Sequence, residues 1–191
     1  SKWPVFVKAL KDPSPLIRAT AATGLAGYYG EESVRVLVGA TGDPIRLVRI
    51  RAAASLVQHS QARISSKDRD QVAAATEEYE AYLKCGPDQW SSHYNLGNYY
   101  VDLGRLHDGL KEFNIASRLQ PQVVAPLVNA SMVHARLGDQ QSAERRLRDA
   151  LAIEPENAIV NFNLGLLLAE RNRIGEAEAM LHLALETDPE M

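Results

Sequence analysis

The 191-residue sequence predicts an all-α, superhelical repeat solenoid, α-α hairpin on α-α hairpin, and three observations carry that prediction. Pro87, Pro121, Pro155 and Pro189 recur at a constant spacing of 34 residues. A second self-similarity, DPSPLIRATAATGL from residue 12 and DPIRLVRIRAAASL from residue 43, recurs at 31 residues. Between these markers the apolar residues fall three and four apart, the spacing of one helix face. Periods of this size mark stacked helical units, each able to bury its apolar face only against its neighbours.

In chain order, VFVKAL supplies a short first helix, and DPSPLIRATAATGL the helix it pairs with. SVRVLVGAT and DPIRLVRIRAAASL repeat the arrangement. Asp12 and Asp43 are expected to cap the longer helices, with proline in the first turn. The alanine pairs Ala21/Ala22 and Ala52/Ala53 allow close helix approach, and Asp12 and Asp43 can pair with Arg18 or Arg49 across the stack. Exposed ion pairs of this kind contribute about 0.5–1 kcal/mol. Residues 1–62 are thus one repeat array. Residues 63–87 form a connecting helix or a partial unit of the next array, with Ala75, Tyr79 and Tyr82 near its core columns.

Residues 88–191 hold three units, counted from 90, 124 and 158. Leu96, Ala130 and Leu164 share one column; Gly97, Ser131 and Gly165 the next; Phe113, Leu147 and Leu181 another; Ala116, Ala150 and Ala184 a fourth. The small column lets two helices approach, and Gly104 and Gly138 stand where a helix must stop and a tight turn begin. Trp3 and Trp90 suit core packing or end-capping, with an interface anchor as the alternative. An exposed last helix carrying Leu181, Leu183 and Leu185 would favour dimerisation or continuation of the stack; a monomer or weak dimer is expected.

On these residues the C-terminal part resembles tetratricopeptide (TPR) repeats. Tyr94-Asn95-Leu96-Gly97-Asn98-Tyr99-Tyr100 followed by Gly104, Phe113, Ala116 and Pro121 matches that pattern, as do Asn163-Leu164-Gly165, Ala177, Ala184 and Pro189. Ser131 and His134 in the middle unit, and Gly109 in the first, depart from it. Residues 3–60 resemble HEAT repeats through Asp-Pro, Val/Ile-Arg and the paired alanines. The combination is also similar to the tail of some larger bacterial multihaem cytochrome-like proteins. No haem motif lies in this chain, so that kinship implies redox chemistry elsewhere in a parent protein.

The TPR resemblance implies a non-catalytic scaffold whose inner groove, lined by first helices, grips a peptide or helix of a partner. By column the groove residues are Tyr94, Val128 and Phe162; Asn95, Asn129 and Asn163; Asn98, Met132 and Leu166; and Asp102, Arg136 and Glu170. An amide both donates and accepts, so the asparagine column can bond to a peptide backbone as a ladder. Alternatively, the same asparagines bond to a neighbouring helix and set the repeat spacing. Arg136 is the one basic groove residue, which argues against a carboxylate clamp and for a partly apolar segment. The partner is a protein or peptide, or another domain of a parent protein.

Composition excludes several other classes. The formal net charge is −3 and 46% of residues are apolar, against wholesale disorder and a basic nucleic-acid coat. Charge is nonetheless uneven: residues 1–64 carry nine Lys and Arg against four acids, the rest twelve against twenty. Arg35, Arg46, Arg49, Arg51 and Arg63 therefore support a further alternative, nucleic-acid binding through the HEAT-like half, although 46 and 49 share a helix face better than 49 and 51 do. A single cysteine, Cys85, leaves no disulfide, CxxC pair or haem-attachment motif, and it is expected to be buried or inert. His59, His93, His107, His134 and His182 show no metal-ligand spacing, and no phosphate loop or nucleophile elbow is present. No cofactor is expected. No apolar run reaches 18 residues, so no membrane span is expected, and the compartment is left open. The chain starts with Ser, as expected of a processed chain or a piece of a longer one.

Overall fold

The computed structural model describes residues 2–59 and 64–190 and consists, among these, of α-helices joined by turns. They fall into two compact units, one ending at Cys85 and the other starting at Gly86.

The first unit contains α1 (Trp3–Ala9), α2 (Pro15–Gly24), α3 (Glu31–Ala40), α4 (Arg46–Val57) and α5 (Arg69–Leu83). α1 packs on α2 and α3 on α4; α2 packs on α4, and α4 on α5. The alanine pairs make this possible: Ala21, Ala22, Ala52 and Ala53 are all buried to 1% exposure or less. Leu25, Leu37, Leu56 and Val72 fill the core beside them, with Trp3, Phe6 and Tyr28 packed against its edge. Trp3 lies on Tyr28 at 5.4 Å between ring centres. On α5, Ala75 is buried, whereas Tyr82 is exposed rather than a core residue.

The aspartates do not cap helices as the sequence suggests. Ser14 and Ile45 hold the N-cap positions. Asp12 and Asp43 instead accept the backbone N–H two residues on, from Ser14 and Ile45 at 2.8 Å each. Proline directly after each aspartate disfavours the helical conformation there, so the helix starts later and the carboxylate closes an Asx turn. That leaves it available to the neighbouring repeat. Arg18 donates to Asp43 through two nitrogens, at 2.7 and 3.0 Å, and to the carbonyls of Asp12 and Pro13. Arg49 repeats the device, bonding the carbonyls of Asp43 and Pro44 and reaching Glu78 at 2.6 and 2.9 Å. The Arg18 guanidinium holds Asp43 below the ordinary carboxylate range, and Arg49 does the same to Glu78. Inside the stack the Ser55 hydroxyl donates to the carbonyl of Ala22, and the Gln71 amide to that of Val38.

The second unit contains α6 (Trp90–Asp102), α7 (Leu106–Leu119), α8 (Ala125–Arg136), α9 (Gln140–Ile153), α10 (Ala158–Glu170) and α11 (Ile174–Thr187). α6 pairs with α7, α8 with α9 and α10 with α11, and α7 packs on α8 and α9 on α10. Each hairpin turns through one left-handed residue at the same column: Gly104 (φ 76), Gly138 (φ 80) and Asn172 (φ 58). Asparagine tolerates that region better than other side chains, which is how the third unit manages without glycine. The small column works as its spacing suggests. A Cβ on Gly97 would lie 2.5 Å from Phe113 Cε1, and one on Gly165 would lie 2.7 Å from Leu181 Cγ. Ser131 fits by turning its hydroxyl onto the Val128 carbonyl.

Two polar side chains tie a unit back to its leading proline. His93 bonds the Pro87 carbonyl at 2.9 Å, and Asn161, in the same column, donates to the Pro155 carbonyl at 3.1 Å. The other ring nitrogen of His93 lies 2.6 Å from Glu112. Away from the first helices, Glu144 receives Arg148, Arg171 and Arg173, linking α9 to the α10–α11 turn. Burial pushes the Glu144 carboxyl upward, but the bonds from Arg148 and Arg173 outweigh it and hold it below its ordinary range. At the end of the array Leu181 is half-buried while Leu183 and Leu185 are exposed.

Candidate functional site

The first helices α6, α8 and α10 carry all the groove positions named by column, and the columns do not behave uniformly. Tyr94 is half-buried, its ring 6.0 Å from both Trp90 and Phe113. Val128, one unit on, is buried in the core with Leu127, Ala143 and Leu147 and offers a ligand little surface. Phe162, a further unit on, is 37% exposed. Next to them Met132 and Leu166 are 53% and 45% exposed. Met132 and Leu166 form one column and Phe162 precedes Leu166 by one helical turn. The open positions of α8 and α10 are thus predominantly apolar.

The asparagines divide into three environments. Asn95 is exposed. Asn129 donates to the Tyr94 hydroxyl at 3.2 Å and to Asn98 Oδ1 at 2.7 Å, bridging α8 to α6. Asn163 donates to the Ile159 carbonyl of its own helix at 2.7 Å. Asn129 and Asn98 therefore already spend bonding capacity on spacing two first helices. Asp102, Arg136 and Glu170 are exposed at the helix ends. Partial desolvation by the surrounding helices, although the residue as a whole is exposed, lifts the Asp102 carboxyl above its ordinary range, and Arg136 opposes that shift.

The described arginines of the first unit differ in their surroundings. Arg49 is held by Glu78, Arg46 and Arg51 are exposed, and Arg35 lies 3.8 Å from Glu32. Arg63 lies outside the described residues. Cys85 is exposed rather than buried, its thiol directed to the Ala81 carbonyl. Among the described residues no three His, Cys, Asp or Glu side chains are grouped to hold a metal, and no helix is long and apolar enough to cross a membrane.

Comparison with known proteins agrees with this geometry. The family model for HEAT repeats matches residues 3–78, and that for tetratricopeptide repeats residues 134–190. The architecture is a solenoid of paired helical hairpins, HEAT-like over the first of these stretches and TPR-like over the second. A curated relative, the human protein O-mannosyl-transferase TMTC3, is 32% identical across 56% of this chain. The chain spans only 12% of that protein's length. Among solved structures, TTC0263, a thermophilic TPR protein of Thermus thermophilus, is 23% identical with a TM-score of 0.59, over 98% of this chain and 90% of that one. The first TPR of Spaghetti (RPAP3) bound to the HSP90 peptide SRMEEVD is 17% identical with a TM-score of 0.52, over 54% and 82%. At these identities both show the fold alone. None of these matches supports the multihaem kinship.

Proposed function

We propose that the second unit is a protein-interaction module that holds a partly apolar segment of a partner protein against α6, α8 and α10. The observation that carries this reading is the exposure of Met132, Phe162 and Leu166, together with Ile159, on first helices whose remaining large apolar side chains are buried or half-buried. Solvated apolar groups of this size gain most when a partner covers them. The polar groups beside them have distinct parts. The Asn95 amide is open to a peptide backbone, whereas the Asn129–Asn98–Tyr94 network fixes the helices that frame the surface. Asp102, Arg136 and Glu170 carry both signs of charge, which suits a mixed ligand better than a carboxylate terminus. In its favour, the RPAP3 repeat of the same fold was solved with a peptide bound.

The test is selection from a random peptide display library by the full chain and by the Met132→Ala/Phe162→Ala/Leu166→Ala variant, with helicity and melting checked for both. Enrichment of one sequence class by the wild type alone is the expected result. Equal enrichment by both, or none by either, would overturn the proposal. A second reading, that the chain is a spacer within a larger protein, has one observation in its favour: the match to a small part of the human relative.

A further inference from the structure

Two of the three methionines lie among the described residues, and their surroundings differ. Met180 on α11 is half-buried and packs against the core formed by α8 to α11. Met132 on α8 is 53% exposed. That exposure does not come from an end of the array, because α8 lies within it and packs on both α7 and α9. The other large apolar side chains of α8, Leu127, Val128 and Val133, are buried, so Met132 alone carries the share of α8 in the exposed apolar surface.

Neither the helix nor the packing demands methionine at this position. Leucine and methionine have nearly equal helix propensity and replace one another readily where volume decides. Leu166 holds the same column one unit on and is exposed to a similar degree. What methionine adds to a solvated apolar position is a sulfur open to two-electron oxidation. A peroxide reacts by breaking its O–O bond: one oxygen forms an S–O bond at Sδ, and the other leaves with the protons as water. The thioether loses two electrons and the peroxide gains them. The product is a polar sulfoxide on a side chain that was apolar, and a reductase returns it to the thioether by oxidising two thiols to a disulfide, with loss of water.

With the second unit read as an interaction module, we infer that Met132 is a modification site, oxidised selectively by a peroxide, and that the sulfoxide reversibly releases a partner from the surface formed with Phe162 and Leu166. An apolar partner side chain over this position would strip water from the sulfoxide oxygen and return no hydrogen bond. Leu166 and Phe162 carry no oxidisable sulfur, so the response is confined to the middle helix. Exposure protects the fold at the same time: a sulfoxide at Met132 points into solvent, whereas one at Met180 would have to enter the core.

The experiment uses the full chain carrying Cys85→Ser, so that the exposed thiol does not consume the peroxide. Graded hydrogen peroxide is followed by peptide mapping and mass spectrometry, and the random peptide library is then offered to untreated, oxidised and reductase-restored chain. Met132 is expected to gain one oxygen roughly tenfold faster than Met180. Oxidation to that point should weaken the enriched peptides roughly tenfold or more, with melting unaltered, and methionine sulfoxide reductase with a dithiol should restore them. Met132→Leu, whatever its own affinity, should show no change on peroxide treatment, whereas Met180→Leu should respond as the parent does. Equal oxidation of Met132 and Met180, undiminished binding by the sulfoxide form, or a peroxide response that persists in Met132→Leu would overturn the inference while leaving the interaction surface standing. Absence of peptide binding by the untreated chain would overturn the surface itself, and the release step with it.

Discussion

Between α2 and α4 the contact is made by alanines, and the repeats are joined at their edge by Arg18 reaching Asp43. Between α6 and α7 a phenylalanine lies over a glycine, and the same columns pair Leu181 with Gly165 two units on. Both units stack helical hairpins, but the first places its specificity in directional polar links and the second in volume. Alanine-lined contacts tolerate small sliding, so charge pairs and buried hydroxyls are needed to fix register. A large side chain seated on a missing Cβ fixes register by shape, and in the second unit polar links such as Asn129 to Asn98 act beside it.

The contrast is sharpened by variants ranked by expected effect, with hydrogen exchange and mass spectrometry reading each unit separately. Phe113→Ala should be the most damaging, at about 3–5 kcal/mol, with protection lost between 86 and 190 and kept in the first unit. Gly97→Ala adds volume where Phe113 cannot yield and should cost about 1–3 kcal/mol in the same unit. Arg18→Ala should lower the denaturant midpoint of the first unit by less, leaving Asp43 and two turn carbonyls without their donor; Asp43→Asn should retain part of the link. If Arg18→Ala changes nothing, the polar-register account of the first unit fails. Ser55→Ala removes one buried hydroxyl bond and should cost about 1 kcal/mol.

The smallest effect is a pH difference between the units. Burial pushes the His134 imidazole below its ordinary value of 6.5, with Asp139 opposing. The unfolded chain therefore takes up a proton that the folded unit resists, and stability falls as pH drops below about 6.5. Asp43 and Glu78 are shifted below ordinary values of 3.8 and 4.5, so their contribution is intact at neutral pH and lost only as pH falls through those lower values. Between pH 7 and pH 5 protection, corrected for intrinsic exchange, should weaken in the second unit alone, and His134→Phe should abolish the change.

Much of the fold was legible in the sequence because repeat columns are a one-dimensional record of three-dimensional contacts. The small column at Gly97 and the apolar column at Phe113 could be read from spacing alone, and so could the turns at Gly104 and Gly138; that Phe113 lies over Gly97 is seen only in the structure. What spacing could not supply was the partner of a long side chain. Arg18 was readable because Asp12 and Asp43 repeat in register. Glu78 was not, since the residue 31 positions after Asp43 is Ala74 and the acceptor for Arg49 comes from a different place on α5. The groove was legible only as positions. Val128 shares a column with Phe162 yet turns into the core, and Asn129 shares one with Asn95 yet is bonded to Asn98 and Tyr94. The column states where a residue sits on its helix, while burial depends on neighbours that differ from unit to unit.

The link from Arg18 to Asp43 also bears on how such a chain can grow. Each HEAT-like repeat carries its own donor, the arginine, and its own acceptor, the aspartate, on a single 31-residue stretch of sequence. A whole-stretch duplication in the gene would therefore bring both halves of the link at once, and the new copy could join the ladder without any compensating substitution. A duplication whose length is not a multiple of this period would put a donor or an acceptor out of register at the junction. The array can thus lengthen in complete steps, and the use of Glu78 by Arg49 marks the point where that rhythm gives way to a helix with its own acceptor.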